Sequence, residues 1–274
     1  MKINVENIVI NQQYKSKIVV ISDIHHIKSC NDKFYNEILE TIRKIKPKYI
    51  LSPGDIVEHP KFIQDKSIKY LINFITNLAL IAPVIISKGN HEIKTNLTDI
   101  KALYRKLDKL NNVYILDNKS IILGDYQFIG FSPSNKSYFK KYKSIWQQNF
   151  IEEANKCNFK TDNQKTKILL CHSPSVVISD EVQKNVSFLK NVDYIICGHM
   201  HNGLTPKFLD NTLKTKGLFG PEYIFFPKYC RGVHKLNNNG KLIVCKSLRA
   251  LTKDNILFKS LDKLYYRNIT FIEI

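Results

Sequence analysis

Through the first 110 residues, short apolar runs alternate with stretches of helical period. "KIVVISD" (17–23), "KYILSPGD" (48–55) and "PVIISKGNHE" (83–92) each open with a compact apolar run. Each then runs into a polar or glycine-bearing loop, which reads as a strand and its exit. Between them, "NDKFYNEILETIRKIKP" (31–47) spaces Phe34, Ile38, Ile42 and Ile45 as one face of a helix and closes at Pro47. Residues 68–81 and 99–110 carry the same period. This rhythm predicts a layered α/β domain whose polar residues gather at strand ends, where open α/β sheets place their sites. The second half is richer in strands: "NVYILD", "SIILGDYQFIGF", "KILLCHS", "DYIICGH", "IFFP", "GVHKL", "KLIVCKS" and "NITFIEI". Helices are expected there at 143–156 and 179–190, and a hairpin turn at "NNNGK" (237–241). No repeat or low-complexity linker interrupts the pattern, so residues 1–274 are expected to form one domain.

Composition narrows the classes. With 43% hydrophobic residues in 274, the chain can bury a large core. No apolar run approaches the roughly 18 residues a membrane span needs, and the N-terminus lacks the features of a signal peptide. Six cysteines are scattered without a C-x-x-C pair, several inside apolar runs. That pattern suits buried free thiols in a reducing cytoplasm rather than a disulfide scaffold or a zinc-thiolate site. The net charge of +18, from 42 Lys+Arg against 24 Asp+Glu, favours anionic partners. Phosphorylated substrates, nucleotide- or lipid-linked ones included, nucleic acid and peripheral contact with an anionic membrane all fit. Part of the surplus also follows the chain's general richness in Lys, Ile and Asn.

The chemistry lies in the strand exits. "YIICGHMHNGL" (194–204) takes an apolar run straight into His199 and His201, between Gly198 and Gly203. A His-x-His pair alone says little, but four other exits match it: Asp23 and His25 in "SDIHH", Asp55 in "PGDIVEH", Asn90 and His91 in "KGNHE", and His172 in "LLCHSP". Carboxylates, imidazoles and an amide buried together without a cation would carry a large desolvation cost. The set contains no thiolate and suits Mn, Fe, Zn, Ni or Co. The donor count suits two ions, and two ions about 3.5–4 Å apart can activate a bridging hydroxide while neutralising a phosphoryl group. His91 lies one residue from Asn90, and imidazole suits acid catalysis near neutral pH.

D-x-H (23–25), G-D (54–55), G-N-H-E (89–92), a lone His after a strand (172) and G-H-x-H (198–201) resemble the calcineurin-like metallophosphoesterase family, in its order. The resemblance implies a two-sheet β-sandwich flanked by helices, with the metal site at the strand C-terminal ends. It implies one ion on Asp23, His25 and His201, a second on Asn90, His172 and His199, and Asp55 bridging. His91 would contact the phosphoryl group and protonate the leaving oxygen. The expected activity is hydrolysis of a phosphoester, phosphodiester or pyrophosphate, with Mn the ion for assay. A nuclease using the same site is the alternative, and a non-catalytic scaffold the third reading. The tail resembles the branch with YkuE-like and YaeI-like phosphoesterases, some of which hydrolyse the pyrophosphate of UDP-diacylglucosamine. Here "NGL" (202–204) stands where that branch has "GGQ".

His26 and His59 are candidate substrate-pocket residues, and Glu58 and Glu92 candidate supports for the ligands. His234 reads as structural. "NKSYFKKYKSIW" (135–146) reads as a packed helix face, with a basic aromatic lip as the sharper option. The basic segment 246–267 reads as solvated surface near the site mouth.

Overall fold

The computed structural model describes residues 3–10, 16–93, 98–138, 143–157, 159–221, 224–251 and 260–274. Two six-stranded sheets face each other. The first contains β1 (Ile3–Val9), β2 (Lys17–Val20), β3 (Tyr49–Ser52), β4 (Val84–Ile86), β5 (Val113–Ile115) and β12 (Arg267–Glu273), in the order β1-β12-β2-β3-β4-β5. The second contains β6 (Lys119–Leu123), β7 (Tyr126–Gly130), β8 (Thr166–Leu170), β9 (Tyr194–Cys197), β10 (Gly232–Lys235) and β11 (Lys241–Val244), in the order β10-β11-β9-β8-β7-β6. The inner strands β2 to β5, and β7, β8, β9 and β11, run parallel. β12 is antiparallel to β2 and parallel to β1.

The continuous apolar runs now have a cause. Both faces of each central strand are covered, so alternation has nothing to separate. Ile18 and Val20 of β2 meet Ile168 and Leu170 of β8 in the core between the sheets. Val19 and Ile21 face outward into a second core under α1 (Asp32–Ile45), α2 (Ile68–Ala79) and, beyond the single turn α3 (Asn90–Ile93), α4 (Thr98–Leu107). On the far side, Leu169 and Cys171 pack under α5 (Lys143–Lys156) and the short helices at Asp180–Asn185 and Phe188–Asn191. The layering is helix, sheet, sheet, helix, as the resemblance implied.

Most expected elements form within a residue or two. Asn31 caps α1 through Phe34 N, and Lys46 ends it in the left-handed region (φ 53°) just before Pro47. Two expectations fail, and one strand was not anticipated. The helix at 179–190 breaks at Val186, which is extended, because Asn185-Val186-Ser187 is a run of poor helix formers. "IFFP" (224–227) makes only one isolated bridge, Phe219 with Phe225, and leaves Phe225 and Phe226 72% and 64% exposed. β1 was not anticipated, because its Asn4, Glu6 and Asn7 mask an edge strand. Among the described residues, no helix is long and apolar enough to cross a membrane.

Candidate metal centre

The strand exits of both sheets converge. Beyond β2, the backbone stays zipped to the loop after β3: His25 N donates to Asp55 O (3.0 Å) and His26 N to Ile56 O (2.9 Å). The loops also approach through glycines. A Cβ on Gly89 would lie 2.1 Å from Asp55 Oδ1, and one on Gly198 would lie 1.8 Å from Ser22 Oγ. Asp23, His25, Asp55, His199 and His201 all sit at positive φ, between 43° and 70°. Asp and His tolerate this region better than most residues, yet a cluster of such positions is the kind of backbone strain that gathers at functional sites.

The side chains form three groups of potential donors: Asp23, His25 and His201; His25, Asp55 and His91; and Asp55, His172 and His199. Within each group the donor atoms lie within 4.8 Å of one another. His172 Nε2 is 3.0 Å from Asp55 Oδ2, His25 Nε2 is 3.7 Å from both Asp23 and Asp55, and His201 Nε2 is 3.8 Å from Asp23. Two outward nitrogens are held by the protein, His172 Nδ1 on Pro53 O (3.2 Å) and His201 Nδ1 on Arg249 O (3.0 Å), while His25 Nδ1 lies 2.7 Å from the Glu58 carboxylate as an ion pair. Such contacts fix the tautomer and aim the other nitrogen. His91 Nδ1 is 2.6 Å from Glu58 O, and its Nε2 is 3.9 Å from Asp55.

Burial and charge oppose one another here. Burial alone would raise Asp23 and Asp55. The facing imidazoles outweigh it and hold both carboxyls below their usual range, His25 leading for Asp23 and His172 for Asp55. Burial would lower His25, but Asp23 and Glu58 bring it up to about 10. Burial likewise opposes His172, and Asp55 raises it. Burial pushes His199 and His201 down, so their rings stay neutral and keep lone pairs.

These residues fit divalent cations. Among the described residues, His25 Nε2, His172 Nε2 and Asn90 Oδ1 are buried without a hydrogen-bond partner. His172 Nε2 is close to Asp55 but out of hydrogen-bond alignment, as expected where both atoms point at a third centre.

Glu92 is a loop clamp. It accepts from the backbone of Gly89 (2.8 Å), Asp55 (2.9 Å) and Val57 (3.2 Å), tying the G-N-H-E turn to the G-D turn. His26 is not brought to the site. It is fully buried, with its nitrogens on Tyr35 OH (2.8 Å) and Ser67 Oγ (3.1 Å). Burial, with Arg249 second, lowers it to about 4, so it is a neutral core histidine. His59 is exposed and caps a short turn through Lys61 N. His234 bonds Arg231 O and packs on Tyr229.

Sequence reasoning missed several supports. Tyr138, in the aromatic segment, packs edge-on against His199 (5.8 Å), while Trp146 is core; Phe139 and Tyr142 lie outside the described residues. Segment 246–267 is not all solvated surface: Lys246, Leu248 and Arg249 are buried. Asn202, beside His201, is gripped by Arg231 Nη1 (2.7 Å) and Asp210 Oδ1 (3.1 Å), and Lys246 braces Asp210 (2.9 Å). None of these contacts leaves a local sequence signal. A cavity of about 540 Å³, lined by Trp146, Pro174, Ile178, Met200, Ile224 and Tyr229 among others, shares Met200 with the histidine turn.

A two-sheet sandwich flanked by helices, with Asp and His donors converging at its strand ends, defines a metal-site phosphoesterase architecture. The calcineurin-like phosphoesterase profile matches residues 16–203, and the chain belongs to that family. It is 25% identical over 187 residues to an uncharacterized metallophosphoesterase of Helicobacter pylori strain J99, covering 68% of this chain and 45% of that protein. An uncharacterized metallophosphoesterase of Campylobacter jejuni is 21% identical over 187 residues, covering 68% and 44%. The match thus spans less than half the length of these curated relatives. Among solved structures, a dimetal phosphatase from Danio rerio aligns over 86% of this chain and 88% of its own, at 11% identity and a TM-score of 0.44.

Proposed function

We propose that the chain is a dinuclear-metal phosphohydrolase acting on a phosphoester, phosphodiester or pyrophosphate bond. The observation that carries this reading is Asp55, which is 1% exposed and belongs to two donor groups at once, with His25 and His91 on one side and His172 and His199 on the other. Asp23, His25 and His201 would hold one divalent cation and Asn90, His172 and His199 the other, with Asp55 shared; Mn is the ion expected to support activity. When bound, such ions neutralise phosphoryl charge and acidify a water for attack on phosphorus. The chain supplies the rest. The buried carboxylates and the clamped loops fix the donors before substrate arrives. His91, tied at Nδ1 to the Glu58 carbonyl, presents Nε2 toward Asp55 and gives a proton to the leaving oxygen. The apolar cavity beside Met200 gives the organic part of the substrate a place to rest. We further propose that the described strands work as one domain, supported by β12 lying between β1 and β2. Residence in the reducing cytoplasm is supported by six free cysteines.

The test is metal analysis together with hydrolysis of bis-p-nitrophenyl phosphate beside p-nitrophenyl phosphate, in Mn with and without chelator. We expect about two ions per chain and activity that the chelator abolishes. Asp55→Asn should lower kcat/KM by at least about a hundredfold, the loss of several kcal/mol. Protein that binds no transition metal and hydrolyses neither ester would sink the proposal.

A further inference from the structure

Phe225 and Phe226 are neighbours in the chain, and both rings stand in solvent. They are 72% and 64% exposed, and Ile224 and Tyr229 beside them are each 41% exposed. Phe226 also takes a φ of 51°, in the left-handed region. A bulky residue is strained there, and its ring gains no burial in the folded chain to offset the strain. The backbone that carries the rings is nevertheless well held. Phe226 N donates to Leu218 O (3.1 Å), Gly220 N to Ile224 O (2.8 Å) and Gly217 N to Pro227 O (3.0 Å), which joins two arms of chain. The rings of Phe219 and Phe225 meet edge to face at 5.2 Å across them. Leu218 N and Phe219 N both donate to Gly203 O (2.8 and 3.0 Å), so the arms hang directly on the histidine turn.

Cations flank the rings. The bonds from Gly217 N to Pro227 O and from Cys230 N to Thr215 O (2.9 Å) set residues 215–217 beside 227–230. Lys214, Lys216 and Lys228, all exposed, therefore lie at the base of the arms. From 211 to 235 the chain carries four lysines, Arg231 and a single acid, Glu222, which lies outside the described residues. Arg231 is already paired with Asp210. Exposed aromatic rings with lysines beside them match the boundary of an anionic bilayer, where rings enter the apolar layer and ammonium groups meet lipid phosphates. A second copy of the chain fits less well, because a two-fold contact through the rings would bring like lysines together.

We propose that this segment docks the protein on an anionic lipid bilayer, with Phe225 and Phe226 entering the headgroup boundary and Lys216 and Lys228 on the lipid phosphates. Because the arms are bonded to Gly203, docking sets the orientation of the turn that bears His199 and His201 toward the bilayer. The inference is independent of the metal chemistry proposed above.

The experiment is co-sedimentation of the full chain, without added metal, with vesicles of phosphatidylcholine alone and of phosphatidylcholine and phosphatidylglycerol in equal parts. Wild type should bind the mixed vesicles at least about fivefold more tightly than the neutral ones, the effect of lysines near an anionic surface. Phe225→Ser/Phe226→Ser should weaken binding to the mixed vesicles at least about tenfold, the loss of two buried rings, with the melting point unchanged because both rings face solvent. Lys216→Gln/Lys228→Gln should bring the mixed vesicles close to the neutral level. It leaves the rings in place and carries the test if the serine variant fails to fold. Wild type that stays in the supernatant with mixed vesicles would overturn the proposal, as would equal binding to the two vesicle types or undiminished binding by both variants. A wild-type dimer in analytical ultracentrifugation that the serine variant abolishes would also overturn it and assign the rings to a second copy.

Discussion

Glu92 shows how much of the site depends on a residue that binds nothing itself. Its two oxygens accept from the backbones of Gly89, Asp55 and Val57, so one carboxylate holds two motif loops in register. Glu92→Gln turns one oxygen into an NH₂ that faces N–H donors, which should cost about 1.5–3 kcal/mol. Thermal melting, read beside Mn retention, checks this; an unchanged melting point would refute the clamp. Gly198→Ala is the steric counterpart. The new Cβ would lie 1.8 Å from Ser22 Oγ and 2.6 Å from Asp23 Oδ2. Such overpacking should cost about 1–3 kcal/mol and reduce metal retention, as measured by elemental analysis after dialysis. The residues that converge were legible because they follow apolar runs at strand exits, and several stand beside Gly or Pro. His26 had the same local signature as His25, and only the register of the turn sends it toward Tyr35 and Ser67. Sequence adjacency does not encode that choice.

At the scale of elements, the turn after β9 is the most constrained piece of backbone. His201, Asn202, Gly203 and Leu204 all have positive φ, from 42° to 61°. Arg231, at the start of the β10 hairpin, and Asp210 grip Asn202 from outside, with Lys246 after β11 behind them. Burial would raise Asp210, but Lys246, Asn202 and Arg231 outweigh it and hold it below its usual 3.8. A depressed folded value gives stability that is present above the unfolded value and lost as pH falls through the folded one. Asp210→Asn should therefore cost about 3–5 kcal/mol near neutrality, where it leaves Arg231 unmatched. The gap to wild type should narrow as melts are run from about pH 6 toward about pH 3; a constant gap would exclude the charge as the cause. The strands and long helices were readable from period alone. β1 and the break at Val186 were not, since an edge strand and a helix end depend on what packs beside them.

For the whole molecule, the charge of +18 should be visible in kinetics rather than in fold. Screening lengths fall from about 30 Å at 0.01 M to about 10 Å at 0.1 M salt. Over that range kcat/KM for an anionic ester should drop several-fold, with kcat little changed. Salt-independent kcat/KM would assign the surplus to composition. The order of the first sheet has a different reach. β12 lies between β1 and β2, two strands that precede it by some 250 residues. A ribosome must therefore finish residues 267–273 before the strand that leads to Asp23 gains its neighbour on that side. During synthesis the N-terminal half waits with an open edge, and closing it brings together segments some 250 residues apart, a slow step. A message truncated between His201 and β12 would yield a chain that carries all the candidate metal donors and lacks the strand that lies between β1 and β2.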